Sequence, residues 1–234
     1  MATMLYEGKA KKIFTTENPN EIVVYYKDDA TVINGLKKGT IIDKGVMNNT
    51  ITTFFFDLLG KNGIPHHQIK KLSDREALCK KVTIIPVEVV TRNIAAGSLA
   101  KKMGVEEGLI LKRPLVEFYY KNDDLGDPMI NADYAVSFDF GTDAQIAQMK
   151  EYALKINEIL KAFLLERKIE LVDFKLEFGV DAEGKVILAD EITPDTARLW
   201  DADTKEKLDK DRFRRDIGNV EEAYQEVIRR LIGK

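Results

Sequence analysis

Cysteine and histidine are scarce in this chain of 234 residues, which has one Cys and two His. The single thiol, Cys79, cannot form an internal disulfide, as is typical of proteins from a reducing compartment. Neither Cys79 nor the consecutive pair His66 and His67 belongs to a spaced set of metal ligands. The sequence therefore predicts neither a zinc site nor a cysteine nucleophile.

Long apolar runs and an excess of positive charge are missing as well. No stretch approaches the roughly 18 consecutive apolar residues of a membrane-spanning helix, and residues 1–10 are too polar for a secretory signal. The 36 basic side chains are outnumbered by 39 acidic ones, which argues against a general nucleic-acid-binding protein. We therefore expect a globular, cytoplasmic protein with no membrane or nucleic-acid partner.

The order of the predicted elements indicates an α+β fold. Strand patterns over residues 12–16 and 21–26 flank an Asn-Pro-Asn turn signal and predict a hairpin. Apolar residues at helical spacing predict a long helix over 142–167. We predict a β-rich lobe over residues 1–86 and a mixed α/β lobe over 87–234. Further strands are predicted over 69–72, 82–90, 115–120, 171–180 and 185–192, and further helices over 50–59, 98–103 and 220–232. Pro86 interrupts the strand over 82–90, because proline has no N–H to donate, and it marks a sheet edge or a crossing between lobes.

The predicted hairpin over residues 171–192 carries the most informative charges. Because side chains alternate along a strand, Asp173, Lys175 and Glu177 share one face, while the intervening Phe and Leu side chains pack inward. A turn with an even number of residues would place Asp190 on the same face, and an odd number would select Glu191. Two carboxylates on adjacent strands suit Mg²⁺ bridged to substrate phosphates, although a solvated face with cross-strand ion pairs fits equally well.

Two other segments carry groups that bind anions. The Gly-Lys-Ala-Lys turn at residues 8–11 combines small residues with lysines, as phosphate sites do, although a basic surface turn would look the same. Arg92 follows a predicted buried strand, and an arginine fork binds phosphate or carboxylate through two hydrogen bonds. Gly97 and Ser98 open the next helical turn, where they serve either an anion or the helix cap.

Several of these motifs resemble those of the SAICAR synthetase family, enzymes of purine biosynthesis. Residues 84–92 (IIPVEVVTR), followed by Ala-Gly-Ser at 96–98, resemble one family signature, and residues 171–179 (LVDFKLEFG) resemble the other. The resemblance covers the whole chain, because it extends through residues 7–11, 121–123, 127–129, 198–201 and 209–214. It implies a two-lobed fold related to ATP-grasp enzymes and kinases, with ATP between the lobes, and a homodimer.

The resemblance also implies an activity, a cofactor and a set of site residues. The family joins L-aspartate to the carboxylate of 5-amino-1-(5-phospho-D-ribosyl)imidazole-4-carboxylate (CAIR), using ATP and Mg²⁺ and giving SAICAR, ADP and phosphate. Asp173 and Lys175 are assigned to CAIR orientation and to charge stabilisation, beside a catalytic Lys11, while Asp195 and residues 127–129 are candidates for aspartate recognition. The remaining implied roles are ATP binding by Lys9, Ala10, Lys11, Ile84, Glu88, Lys121, Glu177 and Asp190, Mg²⁺ binding by Glu177 and Asp190, and CAIR binding by Arg92, Ser98, Arg198 and Arg214.

Two other functions use the same residues. A kinase-like phosphotransferase would act on a hydroxyl group and need no aspartate, and a regulatory module would bind a nucleotide without turnover. We favour the ligase because the arginine-bearing segments exceed what ATP alone requires. Activation of a carboxylate by phosphorylation depends on positioning and charge neutralisation, so it needs no His or Cys nucleophile.

Overall fold

A computed structural model of the chain describes residues 3–32 and 37–233. The helices are α1 (Lys44–Lys61), α2 (Gly97–Met103), α3 (Ala132–Ser137), α4 (Asp143–Leu165), α5 (Asp211–Arg214) and α6 (Val220–Ile232). The strands are β1 (Met4–Glu7), β2 (Lys11–Thr15), β3 (Glu21–Tyr26), β4 (Asp29–Val32), β5 (Lys37–Thr40), β6 (Gln68–Lys71), β7 (Glu76–Lys80), β8 (Thr83–Ile84), β9 (Val87–Ile94), β10 (Ile110–Tyr120), β11 (Met129–Ile130), β12 (Ile169–Val180), β13 (Val186–Ala189) and β14 (Ala197–Asp201).

The first half of the chain builds an antiparallel sheet in the order β1-β2-β3-β7-β6. Its centre is the predicted hairpin, in which β2 and β3 pair with Lys11 opposite Tyr26 and Thr15 opposite Ile22. Strand β1 extends the sheet, so the lysine-bearing turn at residues 8–10 becomes the tip of a second hairpin. The hairpin prediction is confirmed, whereas β1 and β7 were not predicted.

The second sheet has the order β11-β10-β9-β12-β13, and β12 also pairs with β14 and β8. The predicted interruption of the 82–90 strand is confirmed, because β8 ends at Ile84 and β9 begins at Val87, on either side of Pro86. Proline has no N–H for the ladder, and the Pro86 carbonyl instead accepts a hydrogen bond from the Lys121 N–H (3.0 Å). The predicted strand over 115–120 is the second half of β10.

The main core lies between α4 and the apolar face of β12. Phe174, Leu176 and Phe178 are all buried there, as the alternation predicted. Helix α4 begins with a capping box, in which Thr142 and Gln145 bond each other's backbone N–H groups. Helix α1 adds Ile51, among other apolar side chains, to the same core, and it begins six residues before the predicted start at residue 50.

The predicted lobe boundary at residue 86 stays a prediction. The first sheet ends with β7 at Lys80, while β8 at Thr83–Ile84 already pairs with β12 of the second sheet. Helix α1 belongs to the first segment but packs into the core under the second sheet. Across residues 3–32 and 37–233, no helix has both the length and the apolar character needed to span a bilayer.

Candidate active site

A cleft of about 850 Å³ is lined by strands of both sheets. The topology brings predicted site residues from the whole length of the chain to this cleft. Ser98, Pro128 and Met129 do not line it, although Ser98 accepts a hydrogen bond from Arg92. The predicted residues that line it are Lys9, Ala10, Lys11, Ile84, Glu88, Arg92, Lys121, Asp127, Asp173, Lys175, Glu177, Asp190, Asp195, Arg198 and Arg214.

Asp173 lies on β12 between two arginines from the neighbouring strands. The register places it directly opposite Arg92 of β9 on one side and Arg198 of β14 on the other. The Nη1 atoms of Arg92 and Arg198 each lie 2.9 Å from Asp173 Oδ2. One buried carboxylate therefore fixes the spacing of two guanidinium groups in the cleft wall.

Arg92 is held from three directions. Its Nε donates to Glu117 (2.6 Å), and its Nη2 donates to the Ser98 hydroxyl (3.4 Å), in addition to the bond to Asp173. Ser98 does not cap α2, so the capping alternative for this residue is wrong. Gly97 is required because its φ is 52° and a Cβ there would lie 2.5 Å from Arg198 Nη2.

A second acid extends this network towards α5. Asp211 accepts hydrogen bonds from Arg198 Nε (3.0 Å) and from Arg214 Nη1 (2.5 Å). The arginines were predicted from the sequence, but Asp211 and Glu117, which orient them, were not. The signal for Asp211 was its place within the arginine-bearing motif at residues 209–214, whereas Glu117 lies in an ordinary strand pattern.

Two lysines neutralise the acids at the far end of the β12 face. Lys175 Nζ lies 2.7 Å from both Glu88 and Glu177, and Lys121 also donates to Glu177. Burial opposes the charge on Lys175, but Glu177 and Glu88 outweigh burial and raise the pKa of Lys175 well above its ordinary value. Burial also raises the pKa of Glu88 on the neighbouring strand β9.

The β1–β2 turn brings lysine charge to the other side of the cleft. Lys11 Nζ donates to Asp190 and lies 3.5 Å from Glu191 Oε2. Burial disfavours the Lys11 ammonium, but these two acids raise the pKa of Lys11 above its ordinary value. Lys9 is exposed and pairs with Asp123 (2.7 Å) across the cleft mouth.

The hairpin of β12 and β13 resolves the question of which acid follows Glu177. Val180 pairs with Val186, so the turn contains five residues, and parity selects Glu191. Asp190 nevertheless reaches the cleft, because its left-handed backbone (φ 58°) takes it out of the ladder. The even-turn alternative is therefore wrong, and so is the solvated face, because Glu177 is only 4% exposed.

The two neighbouring acids differ in their ionisation. Burial would raise the pKa of Asp190, but the charges of Lys11, Lys175 and Lys121 hold it well below its ordinary value. Burial raises the pKa of Glu191, and its Oε2 has no hydrogen-bond partner among the described residues. The pKa of Asp190 is therefore the lower of the two.

Carboxylate oxygens of Glu177 and Asp190 are the hard donors that Mg²⁺ prefers. Within the described part of the chain, no group of three Asp, Glu, His or Cys side chains could hold a metal ion. A cation here would accordingly need oxygens from a substrate or water to complete its shell, which is the usual way in which Mg²⁺ binds beside phosphates. The donor set fits such an ion.

One side of the cleft is apolar. Ile13 and the neighbouring strand residues Ile22 and Val24 of the first sheet line it, together with Ile84 of β8. An apolar wall beside lysines and acids suits a flat ring attached to a charged tail. An α+β fold with such a cleft is suited to an enzyme that binds a nucleotide beside a second charged substrate.

Comparison with known proteins identifies the family. The SAICAR synthetase family model matches residues 4–231. A phosphoribosylaminoimidazole-succinocarboxamide synthase from Clostridium botulinum (strain Eklund 17B / Type B) is 59% identical over 228 residues, which cover 97% of each chain. The chain therefore belongs to the SAICAR synthetase family, and the prediction of this family is confirmed.

Solved structures agree. The phosphoribosylaminoimidazole-succinocarboxamide synthase from Ehrlichia chaffeensis has a TM-score of 0.96 and 47% identity, with 98% of each chain covered. A SAICAR synthetase (type 2) in complex with ADP also has a TM-score of 0.96, with 46% identity and coverage of 99% of this chain and 98% of that one. The predicted α+β fold class is confirmed.

His67, which also lines the cleft, provides a pH-dependent prediction. Burial and the charge of Lys11 lower the pKa of His67 to about 4, against about 6.5 in an unfolded chain. Between pH 6.5 and 4 the unfolded chain binds a proton that the folded chain excludes, so this residue destabilises the fold as the pH falls.

We expect His67→Gln to reduce the acid-induced loss of stability in that window, by up to about 1.4 kcal/mol per pH unit. Denaturant unfolding of both proteins at a series of pH values from 7.5 to 4.5 measures the effect. The diagnostic quantity is how the difference between their free energies of unfolding changes with pH, because the substitution also changes packing by an amount that does not depend on pH. A stability difference independent of pH would contradict the assignment.

Proposed function

We propose that this chain joins L-aspartate to the carboxylate of CAIR, with ATP as co-substrate, to give SAICAR, ADP and phosphate. The observation that carries the proposal is the near-full-length identity of 59% to a synthase named for this activity. The cleft supports it, because it gathers acids, lysines and arginines from both sheets in one place. The proposal includes Mg²⁺ as cofactor, a homodimer and a cytoplasmic location, with no nucleic-acid or membrane partner.

The chemistry explains this inventory. A carboxylate is a poor acyl donor, because its leaving group would be oxide. Transfer of the ATP γ-phosphoryl group to a carboxylate oxygen of CAIR releases ADP and gives an acyl phosphate. The amine of aspartate then attacks the acyl carbon, phosphate leaves, and the nitrogen loses a proton to give the amide. Both steps require positioning and charge neutralisation more than a protein nucleophile.

Residues from the two sheets divide the nucleotide-binding roles. The turn with Lys9, Ala10 and Lys11 covers the phosphates, and Ile84 contacts the apolar base, with Glu88 and Lys121 nearby. Glu177 and Asp190 hold the cation. When bound, Mg²⁺ draws negative charge from the phosphate oxygens. Lys121 and Lys11 exchange their carboxylate partners for phosphate oxygens as the nucleotide binds, since the same acids then serve the cation.

The arginine network binds the ribonucleotide. Arg198 and Arg92 flank Asp173, and Arg214 extends the row, so three guanidinium groups have a fixed spacing. Ser98 supports Arg92 from behind. Lys175 lies between the metal-binding acids and this row, where it stabilises charge on the transferring phosphoryl group. Asp173 orients CAIR through the two arginines that it holds.

Aspartate dependence tests the proposed reaction most directly. With Mg-ATP and CAIR present, we expect ADP release to require L-aspartate, and mass analysis to show a succinocarboxamide product. ADP release without aspartate, together with a phosphorylated product, would instead support the kinase-like function. Absence of turnover under all conditions, with nucleotide bound, would support the regulatory module.

The metal-binding acids give a second prediction. Glu177→Gln and Asp190→Asn should each lower kcat/KM for Mg-ATP by at least about a hundredfold, since each removes an anionic ligand of the cation. Steady-state kinetics at several Mg²⁺ concentrations measure the loss. Glu183→Gln, in the exposed turn of the same hairpin, is the matched control and should keep full activity. Full activity in either cleft variant would exclude that residue as a ligand.

The row of arginines proposed to bind the ribonucleotide (Arg92, Arg198 and Arg214) gives a third prediction. Arg198→Ala should raise the KM for CAIR at least about tenfold while leaving the KM for ATP nearly unchanged, because charge-assisted hydrogen bonds to the substrate are lost. Arg229→Ala on the exposed face of α6 serves as control. Equal increases in both KM values would remove Arg198 from the ribonucleotide site. Thermal unfolding of each variant checks that the fold persists.

A further inference from the structure

A fully buried lysine lies at the start of α1, beneath the cleft. Lys44 has no exposed surface, and its Nζ donates to Asp195 Oδ2 (2.7 Å). The hydroxyl of Tyr224 from α6 donates to the other oxygen, Oδ1 (2.5 Å). Buried lysines are rare and depend on a paired acid. Both oxygens of Asp195 are therefore engaged from below, which argues against its predicted role in recognising aspartate.

Lys210 reaches the same acid from the cleft side. Its Nζ lies 3.5 Å from Asp195 Oδ2, its side chain is 11% exposed, and it lines the cleft. Its backbone N–H donates to the Pro194 carbonyl (3.0 Å), which ties it to the loop that carries Asp195. Lys44 bonds the same oxygen at 2.7 Å, and the longer ion pair with Asp195 is the only one that Lys210 makes among the described residues.

The other partly buried cations of the cleft have close anionic partners. Lys175 lies 2.7 Å from two acids, and Arg198 bonds Asp173 and Asp211. Burial lowers the pKa of Lys210, and the charge of Asp195 does not fully compensate. For Lys175, by contrast, the neighbouring acids outweigh burial and raise the pKa. An ammonium held at a cleft wall with free donors is a group that an incoming anion would stabilise.

We propose that Lys210 is a further substrate-binding residue, which donates to a carboxylate or phosphate group at the Arg214 end of the cleft, and that Asp195, held by Lys44 and Tyr224, positions it. The inference rests on the proposed function, in which two anionic substrates besides ATP enter this cleft. The oxyanion is a carboxylate of aspartate or the phosphate of the ribonucleotide, and the kinetic constants distinguish the two sources.

The test compares Lys210→Met with Lys210→Arg. Loss of a charge-assisted hydrogen bond should raise the KM for aspartate or for CAIR about ten- to a hundredfold in Lys210→Met, with the KM for ATP unchanged. Lys210→Arg should recover most of that loss, because it retains a donor and a charge. Calorimetric titration with CAIR, without ATP, shows independently of turnover whether the ribonucleotide is the source.

Lys207→Met is the matched control. Lys207 has a similar exposure (17%) and pairs with Glu107 (3.1 Å) outside the cleft. The KM values of the Lys207→Met enzyme should stay within about twofold of those of the wild type. If Lys210→Met also leaves the KM values for aspartate and CAIR within twofold, or raises only that for ATP, the proposal is wrong. Wild-type turnover measured alongside shows separately whether the proposed function itself holds.

Tyr224→Phe tests the positioning role. It removes one hydrogen bond from Asp195 while the aromatic ring still fills its site in the core. We expect the KM that responds to Lys210→Met to rise severalfold, with the KM for ATP unchanged. A lower melting temperature with unaltered kinetic constants would show that the buried cluster is only structural and would overturn the positioning role of Asp195.

Discussion

The structure depends on ion pairs between the buried carboxylates of strand β12 and cations on the surrounding elements. Asp173 and Glu177 are each only 4% exposed, and a buried acid that loses its partner costs roughly 3–5 kcal/mol. Each is therefore matched by cations from neighbouring strands: arginines around Asp173 and lysines around Glu177. The opposite face of the same strand packs into the main core, so the position of these charges is as rigid as the core itself.

This arrangement also explains how one cleft could serve the three anionic substrates of the proposed reaction. The charges alternate along it, so arginines, lysines and acids hold one another in place before any substrate arrives. Phosphates and a cation can then replace partners within the network, and the protein needs little rearrangement to receive them. Lys210 departs from this pattern, because the buried lysine beneath it already occupies the shared acid. For that reason its charge is the one we assign to a substrate oxyanion.

Local patterns predicted the elements that local interactions specify. The α4 helix and the β2–β3 hairpin follow from apolar periodicity and turn residues within a few positions of each other. Predictions were wrong where a distant contact decides the outcome. Helix α1 begins at Lys44, whose charge is paired by an acid 151 residues later in the chain. The break at Pro86 could be predicted locally, but the pairing of β8 with β12, far along the chain, could not.

The sequence by itself determined the family, the α+β class and the alternation that separates the charged from the apolar face of β12, since these depend on residue types at fixed spacing. Only the tertiary structure decided which groups meet. The register sets Asp173 between Arg92 and Arg198. The left-handed backbone of Asp190 turns its side chain into the cleft. Such contacts join positions up to 179 residues apart. They arise from strand pairing and burial of charge, which no local pattern encodes.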